Sequence, residues 1–173
     1  MHNYCCTITV VNMPDVDLGS LDLATTSWLA GSAANDFLLA AIRNAGHPHL
    51  RISHGYVFQR LIEAPQTIGE IAEGLGVTQQ AASKAVGELT SLGYLTVLPD
   101  PLDRRIRRVT LSGLGQEAVS AARLARRDLE TRLATEIGET ALMTARSALR
   151  ALLHLTGGSD AARRRRVKPP SVE

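Results

Sequence analysis

Apolar residues recur at helical spacing along most of the chain and alternate at strand spacing in one short part. Residues 27–45 carry an apolar stripe, and shorter helical patterns follow over residues 53–62 and 67–92. Residues 94–98 and 106–111 alternate apolar and polar side chains, which predicts the two strands of a hairpin. Helical spacing returns from residue 113 to residue 155, with an interruption at Gly138. The pattern predicts a mainly α protein with one small β-hairpin.

Signals for helix ends divide residues 67–92 into two short helices. Thr67 and Glu70 have the spacing of a capping box, and Gly76 can take the left-handed conformation that ends a helix. Thr78 can cap the second helix. Two short helices joined by a turn and followed by a hairpin predict a winged helix-turn-helix, with long helices on either side of it.

The second of these helices has one apolar and one polar face when residues are placed 100° apart. The apolar face contains Ala81, Ala82, Ala85, Val86, Leu89 and Leu92. The polar face contains Gln79, Gln80, Ser83, Lys84 and Gly87, and it has no acidic residue. Such a face near a helix N-terminus suits a helix that reads base edges in a major groove, although an ordinary solvated helix can also carry it.

The loop of the predicted hairpin is rich in arginine. Arg104, Arg105, Arg107 and Arg108 follow a segment with Pro and Asp that is too long for a tight turn. We expect Leu95, Val97, Val109 and Leu111 to share the inner face of the strands. Arginines on a projecting loop suit phosphate contacts or insertion into a narrow minor groove, and Asp103 is close enough to Arg107 to pair with it. A hairpin that is merely solvated is the alternative.

The helices outside the winged helix carry more apolar surface than one small core needs. The first has a stripe formed by Leu29, Ala33, Phe37, Ala40 and Ala41. After Ser112, small and leucine residues recur at near-heptad spacing, and a last helix rich in Ala and Leu ends near Leu155. A homodimer interface built from the first and last helices explains this surface, and a monomeric bundle is the alternative.

The two ends of the chain lack these patterns. We expect residues 1–26 to form a loosely ordered arm, with translation starting at Met1 or at Met13, and residues 157–173 to form a disordered basic tail. The adjacent Cys5 and Cys6 do not make a disulfide framework, and whether they sense oxidants stays open.

The net charge of +2 says little about partners. We find no signal peptide or apolar run of membrane length, which indicates a cytoplasmic protein.

No arrangement of residues suggests catalysis. His47, His49 and His54 lie close together, but no cysteine accompanies them, and we expect a solvated loop with one histidine docked near the next helix. We therefore predict no metal site, no cofactor and no enzymatic activity.

The segment IAEGLGVTQQAASKAVGELTSLGYL and the following DPLDRRIRRVTLSGLG resemble the MarR family of winged helix-turn-helix transcription regulators. The resemblance covers roughly residues 27–156, with the winged helix at 53–112 and dimerisation helices at 27–45 and 113–155. Ser112 stands where Thr is usual, and Gly87 stands where the family often has a polar or acidic side chain.

The resemblance implies a homodimer that binds double-stranded DNA at palindromic operators, most often as a repressor. The candidate DNA-binding residues are Thr67, Thr78, Gln79, Gln80, Ser83, Lys84, Arg104 and Arg105, with Asp103 and Arg107 bracing the wing. It also implies an effector, a phenolic or other lipophilic anion, bound between the helices that start near Ser27 and Ser53 and the long helix after Ser112. A winged helix that binds proteins rather than specific DNA is the alternative function.

Overall fold

The computed structural model of the chain describes residues 17–163. The predictions for Cys5, Cys6, Met13 and the basic residues 164–168 fall outside the described residues. A 3₁₀ helix at Leu18–Ser20 precedes helices α1 to α4, which are Leu23–Asn44, Ile52–Leu61, Ile68–Leu75 and Gln79–Ser91. Strands β1 and β2 are Leu95–Pro99 and Arg107–Leu111, and they lead to α5 at Gly113–Ile137, α6 at Glu139–Leu155 and α7 at Ser159–Arg163. The predicted fold class, mainly helical with one small hairpin, is confirmed.

The helix-turn-helix forms where the capping signals predict it. The hydroxyl of Thr67 accepts from the backbone N–H of Glu70 at 3.2 Å, and the Glu70 carboxylate accepts from the N–H of Thr67 at 2.7 Å. Gly76 ends α3 with a φ of 66°, which glycine adopts without steric cost. The hydroxyl of Thr78 then accepts from the N–H of Ala81 at 3.2 Å and caps α4.

The hairpin packs its apolar face onto these helices. The strands are antiparallel, with Leu95 opposite Leu111 and Val97 opposite Val109. Leu95 and Val109 are buried in the core, and Val97 and Leu111 pack against it, as the alternation predicts. One feature was not predicted: Gln66 and Val109 exchange two backbone hydrogen bonds, of 3.0 and 2.7 Å. The segment before α3 therefore lies along β2 and attaches the wing to the helix-turn-helix.

The core lies almost wholly inside the winged helix and its junction with α5. Its buried residues run from Leu50 to Ala118 and include Val57, Ile71 and Leu89. By contrast, α1 has no buried residue and α6 has only Leu142. The stripe predicted on α1 is therefore mostly exposed in the single chain, while Leu39 and Ile42, on another side of that helix, pack against the core.

The start of the first helix and the disorder expected of residues 157–163 are corrected by the structure. The first helix begins at Leu23 rather than at residue 27, because the Asp22 carboxylate accepts from the N–H of Thr25 at 2.9 Å and caps the helix there. The segment from residue 157 was expected to be disordered, yet Ser159–Arg163 form one short helix. Among residues 17–163, no helix is at once long enough and apolar enough to cross a membrane.

Candidate nucleic-acid interface

Helix α4 presents the predicted polar face to solvent. Ala82, Val86 and Leu89 are buried against the core and so fix the rotation of the helix about its axis. The opposite side is exposed, and it carries Gln79, Gln80, Ser83, Lys84 and Gly87. Ala81 was assigned to the apolar face but is exposed, because it lies in the first turn at the edge of that face. The exposed amides, hydroxyl and ammonium are groups that can bond to base edges and phosphates.

Thr67 and Thr78 both act as helix caps. In each case the hydroxyl oxygen accepts a backbone N–H, and the hydroxyl hydrogen is left to donate elsewhere. The predicted contacts of these two threonines with DNA stay predictions, because capping is their role within the chain.

The wing is braced by a different pair from the predicted one. The Arg108 guanidinium donates to the Asp100 carboxylate, which also accepts the backbone N–H groups of Leu102 at 2.7 Å and Asp103 at 3.3 Å. The predicted pair of Asp103 and Arg107 does not form within residues 17–163. Asp103 instead accepts from the N–H of Arg105 at 2.9 Å. The reason is that Asp100, at the end of β1, folds back over the loop as an Asx turn and lies beside the partly buried Arg108.

Arg108 also connects the wing to the start of α3. Its guanidinium lies 3.5 Å from the Glu70 carboxylate and donates to the Pro65 carbonyl at 3.4 Å. The hydrogen bond from Arg108 is the main cause that lowers the pKa of Asp100. The pKa of Glu70 is lowered mainly by the backbone N–H and hydroxyl of Thr67, with a smaller contribution from Arg108. Both carboxylates are therefore held ionised in a network that fixes the wing against the helix-turn-helix. The D-P-L-D run is an Asx-turn signal, and it is the sequence feature that could have identified Asp100.

Four cations of this region remain available to a ligand. Within residues 17–163, the side chains of Lys84, Arg104, Arg105 and Arg107 form no ion pair and no hydrogen bond, and all four are exposed. The carboxylates of the wing loop are Asp100 and Asp103, and both accept hydrogen bonds inside the wing. The positive charge of the wing tip is therefore not neutralised by the chain itself.

A cavity of about 170 Å³ lies between α1, α2 and α5, the three helices named in the sequence analysis. Its apolar lining includes Leu38, Leu39, Ile42, Phe58 and Ile62, and its polar lining includes three arginines, Arg51, Arg123 and Arg126. The residues that line it include no Asp or Glu. This combination suits a small apolar molecule with a negative charge.

Two of the three neighbouring histidines are buried, which corrects the expectation of one. His47 contacts the Tyr94 hydroxyl through Nδ1 at 3.3 Å, and its ring lies 5.7 Å from the Tyr94 ring. His54 lies inside the first turn of α2 and accepts from the N–H of Arg51 at 3.3 Å through Nδ1. Histidine thus serves as a core and capping residue here. In the described part of the chain, no three His, Cys, Asp or Glu side chains gather where they could hold a metal ion.

Comparison with known proteins shows what the winged helix and the whole fold are similar to. Residues 50–106 match the model of the MarR family. The chain has the fold of RV1404 from Mycobacterium tuberculosis, with a TM-score of 0.67 and 22% identity over 82% of this chain and 97% of that one. Wild-type MarR from E. coli, in its apo form, has a TM-score of 0.58 and 19% identity over 77% and 98% of the two chains. The transcriptional regulator Tm0710 from Thermotoga maritima has a TM-score of 0.58 and 20% identity over 80% and 96%. A comparison with curated proteins found no significant match.

Proposed function

We propose that this chain, which belongs to the MarR family of winged-helix regulators, is a homodimer that binds specific DNA and regulates transcription. In this proposal the homodimer binds palindromic operators and represses transcription, and a small lipophilic anion relieves the repression. The observation that carries the proposal is the contrast between neighbouring arginines of the wing. Arg108 is bound inside the protein, whereas Arg104, Arg105 and Arg107 are exposed and unpaired within residues 17–163.

The proposed contacts with DNA follow from the chemistry of the side chains. Gln79, Gln80, Ser83 and Lys84 would contact base edges and phosphates in a major groove, because they are exposed together near the N-terminus of α4. Arg104 and Arg105 would contact the flanking backbone or a narrow minor groove. The network of Asp100, Arg108 and Glu70 would hold the wing at a constant position relative to α4.

The homodimer is supported by apolar side chains that one chain leaves in water. Trp28 of α1 is 72% exposed and Met143 of α6 is 62% exposed. Leu23, Leu149, Leu153 and Leu155 on the same two helices are also exposed. A second copy would cover them with the same surface and place two copies of α4 about 34 Å apart, one turn of DNA.

A lipophilic anion is supported by the lining of the cavity. Apolar side chains from three helices would surround its hydrocarbon part, and three arginines without a carboxylate among the lining residues would favour its charge. The helices that line the cavity include α1, which the homodimer proposal places at the interface.

Selection of bound sequences from a random DNA pool tests the whole proposal. We expect a palindromic motif with half-sites about one helical turn apart. A protein-interaction module is the alternative, and it predicts that no sequence is enriched. Binding to selected DNA that is no tighter than binding to random DNA, at physiological salt, would contradict the proposal.

Substitution of two exposed cations then tests the contacts. Lys84→Ala and Arg105→Ala should each weaken binding and reduce the slope of log K against log salt by about one unit, because each lost phosphate contact releases about one fewer counterion. Arg127→Ala, an exposed arginine of α5 outside the winged helix, is the control and should leave the slope unchanged.

Dimerisation has its own readout, since Trp28 is the only tryptophan. Its emission should shift to shorter wavelength as concentration rises.

A further inference from the structure

The wall of the cavity contacts the recognition helix through two side chains. Arg51 and His54 line the cavity. The Arg51 guanidinium also forms an ion pair with the carboxylate of Glu88 on α4, and Nε2 of His54 lies 3.7 Å from the same carboxylate. Glu88 does not line the cavity. One arginine therefore stands between the cavity and the helix that carries Lys84.

The hydrogen bonds of His54 indicate which group holds this arrangement. Its Nδ1 lies 3.3 Å from the backbone nitrogen of Arg51, and its Nε2 lies 3.2 Å from the Arg51 guanidinium and 3.7 Å from the Glu88 carboxylate. The ring is 2% exposed, and its burial lowers its pKa, with the Arg51 charge acting in the same direction and Glu88 opposing them. A neutral, buried His54 cannot balance the charge of Glu88. Arg51 is the cation that does so.

Arg51 is placed where it can contact either Glu88 or an anion in the cavity. Its side chain is 55% exposed and that of Glu88 is 40% exposed, so the pair lies at the rim and not in the core. Ion pairs with this exposure are weak, worth about fivefold or less in an equilibrium constant. An anion in the cavity, where the other charged groups are Arg123 and Arg126, could therefore compete with Glu88 for Arg51.

We propose that Arg51 is shared between Glu88 and an anionic ligand of the cavity, and that transfer of Arg51 to the ligand releases α4. With the cavity empty, Arg51 ties α4 to the start of α2. With an anion bound, the tie is lost and α4 is held by its core contacts alone, which lowers its affinity for DNA. This inference rests on the proposed function for its effect on DNA, but the competition for Arg51 can be measured without DNA.

Binding of 2-naphthoate, measured by calorimetry with the full chain, tests the competition directly. Glu88→Gln should bind 2-naphthoate about two- to fivefold more tightly than the wild type, because the competing carboxylate is gone. Arg51→Gln should bind it more weakly. Glu130→Gln is the matched control, since it removes a carboxylate that pairs with Arg146 on α6, at a distance from the cavity. It should leave the affinity unchanged.

The second arm measures how 2-naphthoate changes affinity for the selected DNA. The wild type should lose about two- to fivefold in DNA affinity when the cavity is filled, and the same factor must describe the effect of DNA on 2-naphthoate binding. This coupling should fall towards one in Glu88→Gln and in Arg51→Gln, but not in Glu130→Gln. The uncharged analogue 2-naphthalenemethanol should not change DNA affinity.

The two arms separate the inference from the proposed function. If the wild type prefers no DNA sequence, the proposed function is contradicted. The calorimetry of Glu88→Gln then still tests whether Arg51 is shared between Glu88 and the ligand. The inference is overturned if Glu88→Gln binds 2-naphthoate no more tightly than the wild type, or if the uncharged analogue reduces DNA affinity as much as 2-naphthoate does. Circular dichroism and thermal unfolding of each variant confirm that it is folded.

Discussion

The winged helix and the helices outside it bury their apolar residues to very different degrees. Between Leu50 and Ala118, fourteen residues form one buried core to which α2, α3, α4, both strands and the start of α5 contribute. Helix α1 is longer than any helix of the winged helix, yet none of its residues is buried, and α6 buries only Leu142. Both regions carry apolar stripes in the sequence, but only the winged helix buries its stripes within the single chain.

This difference predicts which region is stable by itself. The winged helix has a complete core, so its shape does not depend on a second chain. The outer helices leave leucines and Trp28 in water, which costs free energy that a partner surface would recover. We therefore expect the stability of the winged helix to be intrinsic and that of the outer helices to depend on concentration.

The largest effect should come from the centre of the winged-helix core. Leu89→Ala removes a side chain that is 0% exposed, and the free energy of unfolding should fall by about 2–5 kcal/mol because a cavity remains. Urea denaturation at several protein concentrations measures this loss, which should be the same at each one. A loss below about 1 kcal/mol would show that the core is not as closed as the structure indicates.

The junction between α5 and the wing should be nearly as sensitive. A Cβ at Gly115 would overlap the Tyr94 carbonyl oxygen and lie 3.2 Å from Cδ2 of Leu111, so Gly115→Ala should cost about 1–3 kcal/mol. Gly113→Ala is the matched control, because its Cβ would meet nothing within 4 Å in the same helical turn. Thermal unfolding compares the two. Equal midpoints for both variants would contradict the close packing of α5 on the wing.

The outer helices should respond in a different way. In dilute solution Leu153→Glu should change the free energy of unfolding by about 0.5 kcal/mol or less, because Leu153 is exposed in the single chain. At high concentration the wild type should gain stability by mass action and Leu153→Glu should not. Calorimetry over a hundredfold range of concentration measures this, with Leu102→Glu on the exposed wing loop as control. Wild-type stability that is independent of concentration would argue for a monomer.

The smallest effect concerns pH and the brace of the wing. The folded-state pKa of Asp100 lies below its unfolded value of about 3.9, so its contribution to stability is present above that pH and is lost as pH falls through the folded pKa. The stability difference between the wild type and Asp100→Asn should therefore shrink below about pH 4. Asp103→Asn should cost less stability, because Asp103 accepts from one N–H and has no arginine partner among the described residues. A difference that stays constant from pH 7 to pH 2 would contradict this role.

Much of the fold could be predicted because its signals are local. The capping box of Thr67 and Glu70, the left-handed Gly76 and the alternation in the strands depend on residues within a few positions of one another. The predicted cavity walls also agree with the structure, although that prediction came from a family resemblance and not from the residues.

The missed side-chain contacts of the wing and of α4 join residues that are distant in the sequence. Asp103 and Arg107 were paired because they are four residues apart, but the chain places Arg108 beside Asp100, Glu70 and the Pro65 carbonyl. No spacing rule predicts that Gln66 bonds to Val109 or that Arg51 meets Glu88, which is 37 residues away.

The sequence by itself determined most of the elements, the caps of α3 and α4 and the polar face of α4, because helix and strand periodicity act over a few residues. It also indicated that the outer helices carry excess apolar surface. Only the tertiary structure decided which arginines are bound and which are free. That outcome depends on where the backbone places carboxylates and carbonyls from other elements, and the same placement decides whether Arg51 faces the cavity, the recognition helix or both.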